Sequence, residues 1–104
     1  MRIVILVTCP SSKVAARIGR ALVGEKLAAC VSALPGVVSI FAWKGRIDRA
    51  KEVLMLAKTR RSLFEKARRR IRELHPYDTP EIVALPISAG DARYLSWIDR
   101  ETRP

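Results

Sequence analysis

Hydrophobic positions along the chain mark four segments that predict β-strands. Each segment is a run of apolar, often β-branched residues bounded by polar, glycine or proline positions, which is typical of strands buried in a sheet. The second segment continues beyond Pro35-Gly36, so we expect one long strand with a kink or a bulge at that pair. The tripeptide Lys44-Gly45-Arg46 then predicts a hairpin turn. The four strand segments are residues 3–7, 27–34 continued by 37–43, 52–57 and 82–87.

Three other segments carry apolar residues at helical spacing. The first follows the Ser11-Ser12 pair, which supplies a serine N-cap, and it is expected to end at Gly24. The second spans residues 62–74 and ends before Pro76, because proline disfavours helical backbone in the residue that precedes it. The third is a short C-terminal helix over residues 91–100, capped by the aspartate at its start.

The order of these elements predicts the fold class. Strand, helix, strand, strand, helix, strand is the split βαβ pattern of the ferredoxin-like α+β sandwich, here with an extended β-hairpin and a terminal helix. Two right-handed crossovers would place both main helices on one face of an antiparallel sheet. The second and third strands are long and apolar on both faces, which is more surface than two helices can cover. We therefore expect the excess to be buried against other copies of the chain.

Length and composition indicate one soluble globular domain over residues 1–104. A hydrophobic content of 49% and a charged content of 29% are typical of a folded chain with a single core. The net charge of +10 raises the question of nucleic acid. The basic residues of the second helix, however, fall opposite its apolar face, where they are expected to be solvated. No glycine framework of an RNA-recognition motif accompanies Phe41 and Trp43, so a nucleic-acid partner is not expected.

The N-terminus and the cysteines bear on location. The apolar run at residues 3–7 is shorter than a secretory signal needs, and no run approaches the length of a membrane span, so we predict a cytoplasmic protein without a membrane partner. Cys9 and Cys30 form no CxxC pair, which argues against a disulfide framework and against a zinc-knuckle site.

Residues 75–82 form the segment richest in candidate chemistry. It holds His75, the only histidine, together with Tyr77, two carboxylates and two prolines, between a basic helix and an apolar strand. Proline fixes its own φ angle and pushes the preceding residue toward an extended conformation. A stiff loop that presents polar side chains is how many binding sites are built. The segment therefore predicts a site without naming its ligand.

Six blocks of the sequence resemble the CutA, or divalent-cation-tolerance, family over essentially the whole chain. The resemblance implies a ferredoxin-like subunit in a compact cytoplasmic homotrimer, linked to tolerance of copper and other divalent metals, with no agreed catalytic activity. It also implies an architecture similar to that of the PII signalling proteins, which bind small effectors between subunits. The blocks are residues 25–31, Leu34-Pro35-Gly36, Phe41-x-Trp43-x-Gly45, Glu52 followed by Lys58-Thr59, residues 75–82, and Tyr94-Leu95-x-Trp97.

His75 and Cys30 are the candidate metal ligands. A neutral imidazole and a soft thiolate would suit copper, although no cofactor is expected to be required. One histidine and two cysteines do not readily close a four-coordinate site within one chain, so a trimer would have to gather equivalents. The alternative for Cys30 is a small buried apolar residue. Some CutA relatives are implicated in metal binding through a first-strand cysteine, but Val7 aligns best with that position here, two residues before Cys9.

Cys9 allows a second interpretation. It precedes a helix N-terminus, which can lower the pKa of a thiol. A phosphatase-type loop would require an arginine six residues later, where this chain has Ala15, and Pro10 removes an amide that could contact an anion. A catalytic cysteine is therefore not expected.

Five residues that match family blocks form a second constellation. One hypothesis is an intersubunit pocket for an anionic or metal-chelated small molecule, with a lysine as the charge and aromatic walls. The alternative is an interface in which the acid and the lysine pair across subunits and the aromatic side chains pack as anchors. The residues are Trp43, Glu52, Lys58, Tyr77 and Glu81.

Together these features predict a non-catalytic homotrimer involved in tolerance of divalent metal ions, with copper as a candidate ligand. The alternative is a PII-like trimer that binds a small effector at intersubunit clefts.

Overall fold

The computed structural model describes residues 1–102 as a four-stranded antiparallel sheet with three helices. This confirms the predicted α+β class. A short 3₁₀ turn, Arg61–Leu63, precedes the second helix. In chain order the elements are β1 (Arg2–Cys9), α1 (Ser12–Gly24), β2 (Cys30–Trp43), β3 (Arg46–Arg60), α2 (Phe64–Leu74), β4 (Ile82–Pro86) and α3 (Ala92–Glu101).

The strands lie in the order β2-β3-β1-β4, so each of the two βαβ units encloses a strand of the other. This is the interleaving that the split βαβ pattern predicts. Alternate residues of β1 and β3 pack with α1 and α2 on one face of the sheet. The core cluster on that face is centred on Ile3, Ile5, Val7, Met55, Ala57, Ile18, Leu22 and Ile71.

The opposite face of the sheet is covered only at one end, where α3 lies. Arg2 and Arg60, which are register partners on that face, anchor the helix. The Arg2 guanidinium contacts the Asp99 carboxylate at 2.7 Å, and this hydrogen-bonded pair lowers the pKa of Asp99. Arg60 donates to Thr102 through both its Nε and its Nη2 atoms. The rest of this face, called here the open face, carries the apolar side chains of Val4, Leu6, Leu34, Leu54, Leu56, Val83 and Leu85.

The long hairpin of β2 and β3 has the features that the sequence predicts. Lys44 and Gly45 both have positive φ angles, as a two-residue hairpin turn of the primed type requires. The pairing register shifts between Leu34 and Val37, where Gly36 has a φ of 80°. The expected bulge at Pro35-Gly36 is therefore confirmed.

Two predicted boundaries are wrong for local reasons. β2 begins at Cys30 rather than at residue 27, because the Leu27 and Ala28 amides donate to the Leu22 carbonyl and so cap α1. α1 ends at Gly24 as predicted, and the left-handed residue of its cap is Lys26, with a φ of 61°. β3 extends well beyond residues 52–57 in both directions, because its polar first half pairs with the distal half of β2 and its last three residues pair with the start of β1.

Candidate functional site: an acidic groove

A groove of about 780 Å³ runs between the hairpin and the loop that follows α2. It continues the open face at the end opposite to α3, since Thr8 and Glu52 lie on that face and form its inner wall. We call it the acidic groove. Its lining residues are Thr8, Ser39, Ile40, Phe41, Trp43, Asp48, Ala50, Glu52, Pro76, Tyr77, Asp78, Thr79 and Glu81.

Glu52 is the buried carboxylate of the groove. Its residue is only 7% exposed, and its Oε2 atom accepts a 2.9 Å hydrogen bond from the Tyr77 hydroxyl. Burial, helped by this bond and by the negative charge of Glu52, raises the pKa of Tyr77 to about 12. Tyr77 therefore stays a hydrogen-bond donor at neutral pH.

His75 fixes the loop that carries Tyr77. Its Nε2 atom lies 2.8 Å from the Thr8 carbonyl oxygen, and its Nδ1 atom accepts a 3.1 Å hydrogen bond from the Tyr77 amide. Because a carbonyl only accepts and an amide only donates, the imidazole is the neutral tautomer with its proton on Nε2. Both ring nitrogens are thus used in holding the loop against β1.

The groove is lined by acidic residues, whereas the chain as a whole is basic. Asp48, Glu52, Asp78 and Glu81 line it, and no lysine or arginine among residues 1–102 does. The whole chain has twenty basic and ten acidic residues. Four carboxylates along one groove make its local potential more negative than that of the rest of this cationic protein, which favours cations over anions.

Three aromatic side chains form apolar walls in the same groove. Phe41, Trp43 and Tyr77 are 38%, 48% and 36% exposed, and the Lys44 ammonium lies 5.9 Å from the centroid of the Trp43 ring. Aromatic faces attract cations through the ring quadrupole. Carboxylates combined with aromatic walls therefore favour a cationic ligand over an anionic one.

Lys58 lies apart from the other four residues of the predicted constellation. Trp43, Glu52, Tyr77 and Glu81 all line the acidic groove, whereas the Lys58 ammonium donates to Ser32 Oγ at 2.8 Å and to the Leu56 carbonyl. Lys58 follows Glu52 by six residues on the same strand, which is about 20 Å at the rise of a β-strand. Within one chain, the groove therefore lacks the lysine that an anionic effector would require.

The two candidate metal ligands also lie apart. Cys30 pairs in register with Lys58, whereas His75 contacts β1 at Thr8, the register partner of Leu54. Four residues along β3 separate these levels by about 13 Å, and the two sites lie beyond opposite edges of that strand. Within residues 1–102, no three His, Cys, Asp or Glu side chains gather as a metal site. The residues of a single chain therefore do not fit a closed copper site.

Cys9 is fully buried, and its Sγ atom lies 3.3 Å from the Met55 sulfur. Burial, with a smaller contribution from the charge of Glu52, raises the pKa of the Cys9 thiol to about 11. The lowering that the neighbouring helix N-terminus suggested is therefore wrong, because removal from water opposes the thiolate more strongly than the helix favours it.

Sequence reasoning missed Asp48 and Phe41, which face each other in the groove as register partners. The hairpin turn contained the signal: a two-residue turn at Lys44-Gly45 pairs Trp43 with Arg46, and so Phe41 with Asp48. Asp78, in the same loop as Tyr77, also lines the groove.

A second depression of about 620 Å³ lies at the other end of the molecule, between the start of β1 and the 3₁₀ turn. Its one carboxylate, Glu65, pairs with Arg68 at 2.9 Å, which lowers the pKa of Glu65. Because that charge is already neutralised, the acidic groove is the stronger candidate site.

Comparison with known proteins identifies the family. The model of the CutA1 divalent ion tolerance protein family matches residues 3–101. The chain belongs to this family. The divalent-cation tolerance protein CutA of Thermus thermophilus is 48% identical over 102 residues, which cover 98% of this chain and 99% of that protein. Human protein CutA is 46% identical over 92% of this chain. The family and the Thermus thermophilus protein are named for tolerance of divalent ions and not as enzymes.

Solved CutA structures share the fold. The Thermus thermophilus protein superposes with a TM-score of 0.97 at 48% identity, covering 99% of this chain and 100% of that one. The periplasmic divalent cation tolerance protein CutA of Archaeoglobus fulgidus gives a TM-score of 0.96 at 41% identity, with 99% and 100% covered.

Relatives differ in length and in the location that their names give. This chain spans 54% of human CutA and 56% of the chloroplastic CutA of Arabidopsis thaliana, which is 41% identical to it over 97% of this chain. Within residues 1–102, no helix combines the length and the apolar character that crossing a membrane requires.

Proposed function

We propose that this protein is a non-catalytic homotrimer that acts in the cytoplasm in tolerance of divalent metal ions. Membership of the CutA1 family supports the tolerance role. The observation that carries the assembled form is the open face of the sheet, where Leu34, Val83 and Leu85 are 55%, 46% and 52% exposed. A contiguous apolar sheet face of this kind is typical of a surface that another chain covers.

The tolerance role is tested by complementation. In a bacterium that lacks its own CutA, expression of this chain should raise the concentration of copper, zinc or cobalt salt that halves the growth rate. The control is an equally expressed variant with an acidic residue on the open face, Leu85→Asp. Equal growth with the wild type, the variant and the empty vector would contradict the proposal.

Direct copper binding is a separate part of the proposal. Cys30 and His75 lie apart in one chain, so any site that uses them would combine donors from different subunits. An anaerobic Cu(I) titration against a competing chelator, with parallel Cu(II), tests this on the wild type, Cys30→Ser and His75→Ala. Stoichiometric binding per trimer that one substitution abolishes would locate the site. Binding unchanged by both substitutions would separate these residues from the metal.

A second candidate function is effector binding of the PII kind, and the acidic groove favours it. The groove holds four of the five residues that the sequence indicated for an intersubunit pocket. Its volume lies within the range of about 300–1,000 Å³ that small-molecule sites occupy. Stabilisation of the protein against thermal unfolding by a small molecule would support this function, because a ligand that binds only the folded state raises its stability.

A further inference from the structure

The helix side of the molecule concentrates positive charge. Residues 12–26 and 61–74, which form α1 with its cap, the 3₁₀ turn and α2, hold ten of the twenty basic residues and three of the ten acidic ones. Each of those three acids already forms a salt bridge with Arg68 or Arg70. The other eight cations are exposed, and within residues 1–102 none of them forms a salt bridge. They are Lys13, Arg17, Arg20, Lys26, Arg61, Lys66, Arg69 and Arg72.

Six of these cations share one surface, called here the basic face. In α1 they follow one another at intervals of four and three residues, and in α2 at intervals of three, so each set lies along one side of its helix. That side is opposite to the buried Leu22 in α1 and to the buried Ile71 in α2, so both sets point away from the sheet. Arg70 of α2 contacts Glu25 at the end of α1, which holds the two helices side by side. The basic face consists of Lys13, Arg17, Arg20, Lys66, Arg69 and Arg72.

The apolar content of the two helices indicates what kind of anion the basic face fits. Val23, at the end of α1, is the one exposed large apolar residue of α1 and α2, and no exposed residue of these helices is aromatic. Membrane-binding helices add apolar side chains that enter the lipid, and protein interfaces add aromatic or aliphatic anchors. Single-stranded nucleic acid needs aromatic side chains on which its bases stack. The phosphate backbone of a duplex needs only cations and hydrogen-bond donors, which arginine and lysine supply.

We propose that the basic face binds the phosphate backbone of double-stranded nucleic acid without reading its sequence. The expectation against nucleic acid rested on the missing RNA-recognition motif, which stacks bases on a sheet, whereas phosphate contacts carry no sequence information and need no such motif. Duplex DNA carries about one negative charge per 1.7 Å of its axis, so its phosphates are dense enough to contact cations of both helices. The basic face lies on the side of the sheet away from the open face, so the proposed trimer leaves it in water.

Fluorescence anisotropy of a short labelled duplex tests the proposal, in a titration with wild-type protein that light scattering shows to be assembled. We expect saturable binding whose affinity falls about a thousandfold between about 50 and 200 mM NaCl, because contacts from about six cations release the counterions of the phosphates. Parallel titrations with duplex DNA and duplex RNA distinguish the two sources of this backbone. Binding of either or of both supports the proposal, and a preference identifies the nucleic acid.

A double variant assigns the binding to the basic face. Arg17→Gln with Arg69→Gln removes one exposed, unbridged cation from each helix, and it should lower the affinity at the lower salt concentration by at least about tenfold and the salt slope by about two. The matched control is Arg93→Gln with Arg100→Gln, which removes the same charge from exposed positions of α3, on the other side of the sheet. It should bind within about twofold of the wild type.

Four outcomes would overturn the inference. The first is no binding of either duplex by the assembled wild type at the lower salt concentration. The second is an equal loss in the two double variants, which would show that the net charge attracts the duplex and not the basic face. The third is equal or tighter binding of a single strand. The fourth is displacement of the duplex by polyglutamate or by phosphatidylserine vesicles of matched charge, which would assign the basic face to an acidic protein or to a membrane.

Discussion

Glu52 sets the chemistry of the groove at the scale of single residues. Its position on β3 places it on the open face, where Tyr77 covers it and donates to one of its oxygens. His75 does not act on the groove directly. Its two hydrogen bonds hold the loop so that the tyrosine can reach the acid. The residue with the most prominent chemistry in the sequence is thus a positioning residue in this structure.

Cys9 gives a residue-scale prediction about pH. Its pKa is raised from 9.0 to about 11 in the folded protein, mainly by burial. The folded state therefore holds the thiol proton more tightly, and the associated stability is complete below pH 9 and is lost as the pH rises toward 11. We expect the wild type to lose about 2 kcal/mol more unfolding free energy than Cys9→Ala between pH 8 and pH 11.5. Guanidinium unfolding at both pH values measures this difference, and parallel pH profiles of the two proteins would contradict it.

At the scale of elements, the hydrophobic pattern predicts the elements that side-chain packing determines. It does not predict the element boundaries that backbone hydrogen bonds determine. The four strands, the order of the helices, the bulge at Pro35-Gly36 and the cap at Asp91 all follow from periodicity and turn chemistry. The start of β2 does not, because Leu27 and Ala28 are apolar residues that serve the helix cap. The apolar pattern does not predict that β3 starts as early as Arg46, because the first half of this strand is polar and exposed.

The residues of the acidic groove, likewise, could be predicted from the sequence only in part. Trp43, Glu52, Tyr77 and Glu81 could be selected because each is an unusual residue for its element. Lys58 matches a family block as they do, but that match does not show that six residues of extended chain separate Lys58 from Glu52 by about 20 Å. The acidic character of the groove emerges only when the hairpin and the loop are brought together in three dimensions.

The cap of α1 gives an element-scale prediction. Lys26 occupies the left-handed position of the cap with a φ of 61°, where a side chain is unfavourable and glycine is preferred. We expect Lys26→Gly to change the unfolding free energy by about +0.5 to +1 kcal/mol, because the relief of strain exceeds the added entropy of the unfolded chain. In contrast, Lys13→Gly, on the first turn of the same helix, should lower it by up to about 1 kcal/mol. Chemical denaturation checks both, and a loss in Lys26→Gly would contradict the cap.

At the scale of the whole molecule, the hairpin and the open face expose apolar side chains. The molecule is elongated and measures 44 × 26 × 22 Å. On the hairpin, Ile40 and Ile47 are 73% and 84% exposed and do not contribute to the core. The lysine and arginine side chains of α1 and α2 lie on the side of the sheet that these helices cover, whereas the open face presents mostly apolar groups. An assembly that joins open faces would therefore bury apolar surface and keep the basic helices in water.

The mass of the protein in dilute solution tests the trimer most directly. Size-exclusion chromatography with multi-angle light scattering should return about 35 kDa, three times the 11.7 kDa of one chain. Leu85→Asp, which places a charge on the open face, should shift the mass toward that of the monomer. Val23→Asp is the matched control, because Val23 is similarly exposed, at 43%, but lies on α1. A monomeric wild type, or equal masses for the two variants, would contradict assembly through the open face.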